Sequence, residues 1–276
     1  MISYNTKRLF SKGFIYIILG AYSLLVIIPL ALIISSSFKM ENDILSYPIK
    51  WWPKPFVLEN FLKLKSNFPT YILNSLKVTI ITVILQVITA TSSGYAFAKL
   101  KWKFRDSLFL LYIASIMIPI QSIIIPQFII VKSLGLYDTH AGLIITSAFT
   151  AFGTFMMKQF FMNVPDSLLE AARIDGASDF GIFFRIMLPL SKGALASLVI
   201  FSFRWYWNEF FQALIYITSP KLKTLPLGLS EFVSEYYTYY GPQMAAALIS
   251  IFPILVVFLF AQKYIVENES ATGLKG

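Results

Sequence analysis

Two groups of residues in this chain have types and spacings that could do specific work. The first is Trp205, Asn208, Glu209 and Gln212, which fall within just over two helical turns of an otherwise apolar stretch. An indole face can stack on a sugar ring, and amide and carboxyl groups can bond its hydroxyls. Arg204 precedes them. A charge at mid-membrane costs roughly 2.5–3.5 kcal/mol on the insertion scale, so Arg204 and Glu209 need an account. Two readings are open: these groups line a pathway together with Gln121, or they satisfy one another between helices. The second group is the run Glu170-Ala171-Ala172-Arg173-Ile174-Asp175-Gly176-Ala177. It combines charges of both signs, small side chains and a glycine stop, which suits docking into a groove better than catalysis. Other chemistry is absent from the sequence. It has no cysteine, and its one histidine, His140, offers no imidazole cluster for a metal. No G-x-x-x-x-G-K-[ST] phosphate loop occurs, so nucleotide chemistry is not expected on this chain.

The elements that must position these groups are membrane helices. Of 276 residues, 57% are hydrophobic and 13% are charged, about half the ~25% typical of soluble domains. Such a composition excludes a disordered chain and argues against an ordinary soluble enzyme. Six apolar stretches are long enough for a ~30 Å hydrocarbon core, at about 14–34, 78–98, 108–131, 141–161, 194–218 and 244–264. The expected fold class is an all-α integral membrane protein, with residues 1–276 as a single transmembrane domain. Lys7, Arg8 and Lys12 make a basic start. The apolar run after them exceeds the ~7–15 residues of a signal-peptide core, so an uncleaved span is expected.

The net charge of +9 is read as flanking charge rather than a nucleic-acid surface. Lys and Arg favour the termini and the loops after the second and fourth stretches. Lys99, Lys101, Lys103 and Arg105 form the tightest cluster, which places both termini in the cytoplasm. On the opposite side, Pro48, Pro53, Pro55 and Pro69 argue against one continuous helix between the first two spans. The loop at 219–243 carries Tyr236, Tyr237, Tyr239 and Tyr240, which suit either protein or sugar contact or an interfacial aromatic belt. In the third stretch, Pro119 and Pro126 beside Gln121 and Gln127 either break the helix at a cavity or mark a satisfied kink. In the second, Thr82, Gln86, Thr89, Thr91, Ser92, Ser93 and Gly94 read as helix-packing residues.

The loop at 162–190 has its own grammar. Ser167 and Glu170 make a capping box after Pro165, and Gly176 is a left-handed stop. Ser178 or Asp179 caps a second helix with Phe180, Phe183, Phe184, Ile186 and Met187 on its apolar side, and Pro189 ends it. A hairpin lying on the membrane would want a basic face. Glu170 and Asp175 oppose Arg173 instead, so a soluble partner fits better.

The run from Glu170 to Ala177, with Phe180, Ile186 and Leu188-Pro189, resembles the EAA loop of bacterial binding-protein-dependent ABC importer permeases. Phe201-Ser202-Phe203, Trp207-Asn208-Glu209-Phe210, the segment Thr224 to Leu229, Ala245 to Ala247 and Gly273-Leu274-Lys275-Gly276 resemble the carbohydrate branch. Over nearly its whole length the chain looks like the second permease subunit of a maltose-type importer. Gly193 departs from the pattern, which often has proline there. The resemblance implies a type I importer permease of six spans, multi-pass in a bacterial inner membrane. It implies half a pathway for a sugar or oligosaccharide delivered by an extracytoplasmic solute-binding protein. The implied partners are a second permease and two ATP-binding subunits, which hold the ATP and Mg; no cofactor is expected on this chain, and it is not an enzyme. Glu170, Ala171, Ala172, Asp175, Gly176, Ala177, Phe180 and Pro189 would engage the ATPase, with Glu170 meeting a basic group. A polyamine permease should show several acidic groups on the pathway, where only Glu209 qualifies. An ion-coupled secondary transporter should show inverted repeats, which are not evident.

Overall fold

In lipid a helix satisfies all its own backbone polar groups, and the chain takes that solution. In the computed structural model residues 4–233 and 237–273 are described, with side chains over 12–233 and 237–263. Tyr236, Leu274, Lys275 and Gly276, and the side chains of Lys7 and Arg8, therefore lie outside the described residues. The main helices are α1 (Tyr4–Ser37), α2 (Phe68–Lys99), α3 (Arg105–Ala114), α4 (Ile120–Ser133), α5 (His140–Thr146), α6 (Ala151–Met162), α7 (Asp166–Ile174), α8 (Asp179–Leu190), α9 (Lys192–Trp207), α10 (Phe211–Tyr216) and α11 (Tyr240–Gly273). Among the described residues the only strand-like feature is an isolated bridge between Val233 and Thr238.

By length and composition α1, α2 and α11 can each cross a membrane unaided. Three bent pairs raise the number to six if each is taken as one span. The bends are 103° between α3, with the 3₁₀ turn Ser115–Met117 that extends it, and α4, 42° between α5 and α6, and 78° between α8 and α9. The stretch 108–131 is thus not one rod. Pro119 has no N–H and sits extended at φ −62°, ψ 137°, so the helix stops short of it and restarts at Ile120. Pro126, in contrast, stays inside α4. The stretch 141–161 breaks before Thr150, whose hydroxyl caps α6 by accepting from the Gly153 N–H at 3.1 Å. The stretch 194–218 also breaks, because α9 ends at Trp207 and α10 begins only at Phe211.

The chain divides into two compact units, residues 1–68 with 229–251 and residues 69–228 with 252–276. In the first, the apolar side chains of α1 from Phe14 to Leu25 point outward and are exposed. The turn after α1 is held by buried Asn60, which donates to the carbonyls of Ser37 (3.0 Å) and Lys39 (2.8 Å). Glu41 accepts from the N–H groups of Tyr240 (2.6 Å) and Gly241 (3.0 Å), so a carboxylate caps α11. As the prolines require, the segment between α1 and α2 forms only the short helices Glu41–Ile44 and Glu59–Leu62.

Two apolar clusters stand out in the second unit among the described residues. Ala90, Tyr95, Met157, Phe161, Leu169, Ile182, Met187 and Leu198 belong to the first, which joins α7 and α8 to α2, α6 and α9. The second gathers Val78, Ile124, Val131, Leu143, Ala213, Tyr216 and Leu227. The small residues of α2 do pack helices. A Cβ at Gly94 would lie 2.8 Å from that of Met157, and the hydroxyls of Ser93 and Thr154 meet at 2.8 Å. Met187 closes a five-residue π turn, Phe183–Met187, inside α8.

Candidate functional site

The first helix of the loop between α6 and α9 is capped two residues earlier than expected. Pro165 takes the N-cap of α7 without a side-chain bond, so Ser167 falls inside the first turn. The cause is distant in sequence. Lys99, at the end of α2 with its side chain 5% exposed, places Nζ 2.6 Å from Asp166 and 2.6 Å from the Val164 carbonyl. The lysine's bond and charge hold the Asp166 carboxyl below the usual carboxylate range.

The other end of α7 is as expected. Gly176 has φ +84°, its N–H donates to the Arg173 carbonyl (3.0 Å), and Ala177 donates to Ala172 (2.9 Å). Those two bonds make a Schellman motif. A Cβ at Gly176 would meet nothing within 4 Å, so glycine serves the backbone here and not the packing. Ser178 accepts from the Gly181 N–H at 3.2 Å and caps α8, and Arg173 pairs with Asp179 at 3.0 Å across the turn.

Leu169 is buried and anchors α7, while Ala172 and Ala177 rest half-buried on the same cluster. Glu170, Ala171, Asp175 and Gly176 face outward, beside Ile174 (86% exposed) and Phe180 (79% exposed). The expected apolar side of α8 is split: Ile182, Phe183 and Met187 are buried, whereas Phe180 and Phe184 are exposed. The π turn causes this, since its extra residue rotates one part of α8 against the other about the helix axis. Pro189 is exposed but does not end α8; the helix runs on to Leu190 and bends at buried Ser191.

The second site is a cavity of about 920 Å³. Gln121, Trp205, Asn208, Glu209 and Gln212 all line it, with Ile120, Ile123, Gln127, Thr146, Ser147, Arg204, Tyr206, Phe210 and Phe211. Three helix breaks supply this wall: the start of α4, the end of α5 and the gap between α9 and α10. Irregular backbone at membrane depth is tolerated where it lines a cavity. The quartet in 205–212 therefore does not share one helix, because Asn208 and Glu209 lie in the gap.

Glu209 and Arg204 do not pair. One Glu209 oxygen accepts from the Gln212 N–H (2.7 Å) and the other from Ala213 (3.1 Å), so this carboxylate caps α10. The Asn208 amide donates to the main-chain carbonyl of Arg204 at 2.7 Å. Gln212 accepts from the Ser147 hydroxyl (3.2 Å) and donates to Gln127 (3.4 Å). Behind them sits Gln86, 2% exposed. Its amide donates to the Ser147 carbonyl (2.7 Å) and to the Tyr206 hydroxyl (2.8 Å), and its oxygen accepts from Ser202 (2.8 Å). Gln86 thus pins α2 to the α5–α6 break and to α9. The helix-packing role read for Gln86 from the sequence is thus observed, whereas its particular partners Tyr206 and Ser147, whose bonds cross more than one helix, left no mark in the sequence pattern. Trp205 is 68% exposed and available to the cavity, whereas Trp207 is buried and stacks on Phe203.

Residues 88–268 match the family described as "Binding-protein-dependent transport system inner membrane component". The chain is 31% identical over 259 residues to the arabinooligosaccharides transport system permease protein AraQ of Bacillus subtilis, covering 92% of each chain. It is also 31% identical over 255 residues to the diacetylchitobiose uptake system permease protein NgcG of Streptomyces coelicolor, covering 90% of this chain and 84% of that one. Its fold matches a chain in the crystal structure of a bacterial ABC transporter involved in import of the acidic polysaccharide alginate. There the TM-score is 0.83 at 24% identity, over 96% of this chain and 99% of the other.

Proposed function

This chain belongs to the family of binding-protein-dependent inner membrane transport components, among the sugar ABC importer permeases, and on that premise we propose that it forms half of the translocation pathway for a sugar or oligosaccharide. A solute-binding protein delivers the substrate on the outer side, and a second permease completes the pathway. Two ATP-binding subunits, which hold ATP and Mg, drive it from the cytoplasm, where both termini lie. The observation that carries the reading is α7: a short helix with Glu170, Asp175 and small side chains outward, ended by a rigid glycine turn and backed by a packed core. A helix so built can sit in a cleft and pass displacement to α2, α6 and α9 through its own packing. Two arrangements of the pathway, biased by closure of the ATPases, give alternating access.

The cavity supports a sugar over a polyamine. Trp205, Tyr206, Phe210 and Phe211 offer aromatic faces, and Gln121, Gln127, Asn208 and Gln212 are amides. A polycation would need several carboxylates, and Glu209 is the one acidic residue on the described lining, where the Arg204 cation also lies. The test is the importer in proteoliposomes carrying Glu170→Arg or Gly176→Leu. Both variants are expected to reach the membrane and to lose ligand-stimulated ATPase activity and uptake together. Normal coupled uptake in both would sink the role given to α7.

A further inference from the structure

Among the described residues, Arg204 is the one cation lining the cavity. Among those same residues its guanidinium makes no ion pair, hydrogen bond or ring contact; only its main-chain carbonyl is engaged, by Asn208. Lys158 shows the contrast. That cation, also in an apolar helix, sets Nζ 3.5 Å from the centre of the Phe109 ring. Arg204 lies twelve residues beyond Lys192 at the start of α9, about 18 Å along the axis at 1.5 Å per residue, and it is exposed on the cavity wall. Glu209 is near in sequence but makes no ion pair with it, and its oxygens accept from the Gln212 and Ala213 N–H groups of α10 instead. A guanidinium within a membrane span is costly unless it meets an anion or water-filled space, and this one opens on a cavity that can admit either.

We infer that Arg204 is a specificity residue for an acidic saccharide, its guanidinium binding a carboxylate carried on the sugar. The inference rests on the sugar-permease reading and narrows it. The guanidinium offers a planar fork of donors that matches a carboxylate in bidentate fashion. Trp205 beside it presents an exposed indole for the ring, and Gln121, Gln127 and Asn208 supply neutral groups for hydroxyls. Of the two charged groups on this lining, Arg204 has no protein partner among the described residues, whereas Glu209 faces the N–H groups at the start of α10, whose dipole offsets part of its charge; the free guanidinium is what favours an anionic sugar over a neutral one.

The test uses the complete importer with its binding protein in proteoliposomes. The probes are trimers of galacturonate, glucuronate and mannuronate, each paired with its carboxyl-reduced neutral trisaccharide. At least one uronate is expected to drive uptake and ATPase activity roughly tenfold or more above its reduced partner, the scale on which a charge-assisted hydrogen bond acts. Arg204→Gln should collapse that preference to within about twofold, chiefly through KM, and Arg204→Lys should restore part of it, since it keeps the charge but not the fork. Uptake of neutral saccharides in preference to the uronates, unchanged in Arg204→Gln, would overturn the inference and leave the sugar permease standing. Loss of the partner permease from the purified Arg204→Gln complex would also overturn it, assigning the guanidinium to subunit contact. Stimulation by a non-saccharide alone would remove both readings at once.

Discussion

The turn at Gly176 and the gap at Asn208–Phe210 both separate two helices, and they are built by opposite means. At Gly176 the backbone satisfies itself: two main-chain bonds close the Schellman turn and the neighbouring side chains are left pointing outward. At the gap the side chains do the work. Glu209 caps α10, Asn208 ties back to α9, and Gln212, Ser147 and Gln86 link the wall to other helices. The difference matches the two tasks. A surface that must fit a partner keeps its side chains free and its backbone stiff. A cavity wall inside a low-dielectric layer pairs most of the polar groups it holds, because unpaired ones are costly there, and the Arg204 guanidinium stands out as the exception.

The contrast can be broken by substitution, and the largest effect belongs to the wall. Gln86→Leu leaves the Ser147 carbonyl and the hydroxyls of Tyr206 and Ser202 without their partner. At roughly 1–3 kcal/mol for each stranded group, thermal unfolding of the solubilised permease should shift down by several degrees. A melting temperature equal to the parent's would mean that the network is not what holds the wall. Next comes Glu209. Glu209→Leu leaves two N–H groups of α10 unpaired and is expected to destabilise by about 2 kcal/mol, whereas Glu209→Gln keeps an acceptor and should lose about half as much. Equal losses in both would show that the charge of Glu209, and not its acceptor oxygens, is what counts.

At the other site the effects are smaller and local. Gly176→Ala forces a side chain into the left-handed region at a cost of about 1–2 kcal/mol, with no steric clash to add to it. Hydrogen exchange should quicken across α7 and the start of α8 while α2 and α9 stay protected; faster exchange throughout would argue against a self-contained turn. Lys99→Met is expected to cost about 1 kcal/mol, since the Asp166 end of the pair is exposed and contributes little, while the buried Lys99 also holds the Val164 carbonyl. Its pH dependence follows from the sign of the shift. The Asp166 carboxyl is held below its ordinary value, so its contribution is complete above that value, ~3.9, and fades only as pH falls through the depressed one. The stability difference between Lys99→Met and the parent should therefore be flat from pH 8 to pH 5. A slope in that range would point to another titrating group.

How far the sequence could be read depends on the range of the contacts involved. Apolar runs located the helices, because span length is set by the bilayer and leaves a local mark. Gly176 and Ser178 were readable for the same reason, since a left-handed stop and a hydroxyl cap act within a few residues. Ser167 misled because Asp166, one residue earlier, is drawn to Lys99 at the far end of α2. Trp205, Asn208, Glu209, Gln212 and Gln121 were legible as residue types that could face a cavity, and they do line one. Their arrangement was not legible. Apolar periodicity does not mark the break after Trp207, and the partners of Gln86 lie 61 to 120 residues away.

The π turn at Phe183–Met187 has a consequence for how this chain can tolerate insertions and deletions. A π turn carries one residue more than the α-helix around it, a surplus that can be removed without breaking the ladder of hydrogen bonds. Each residue of an α-helix accounts for about 100° of rotation. The five residues of the wide turn carry the helix about as far round as four residues of α-helix would, so deleting one residue here would leave α8 helical with Phe180, the Gly176 turn and α7 facing much the same way relative to α9. Deleting one residue from the regular part of α8 would instead turn them by about 100°. The π turn is therefore slack in the connection, a place where the chain can lose a residue while the loop keeps the direction in which it presents itself.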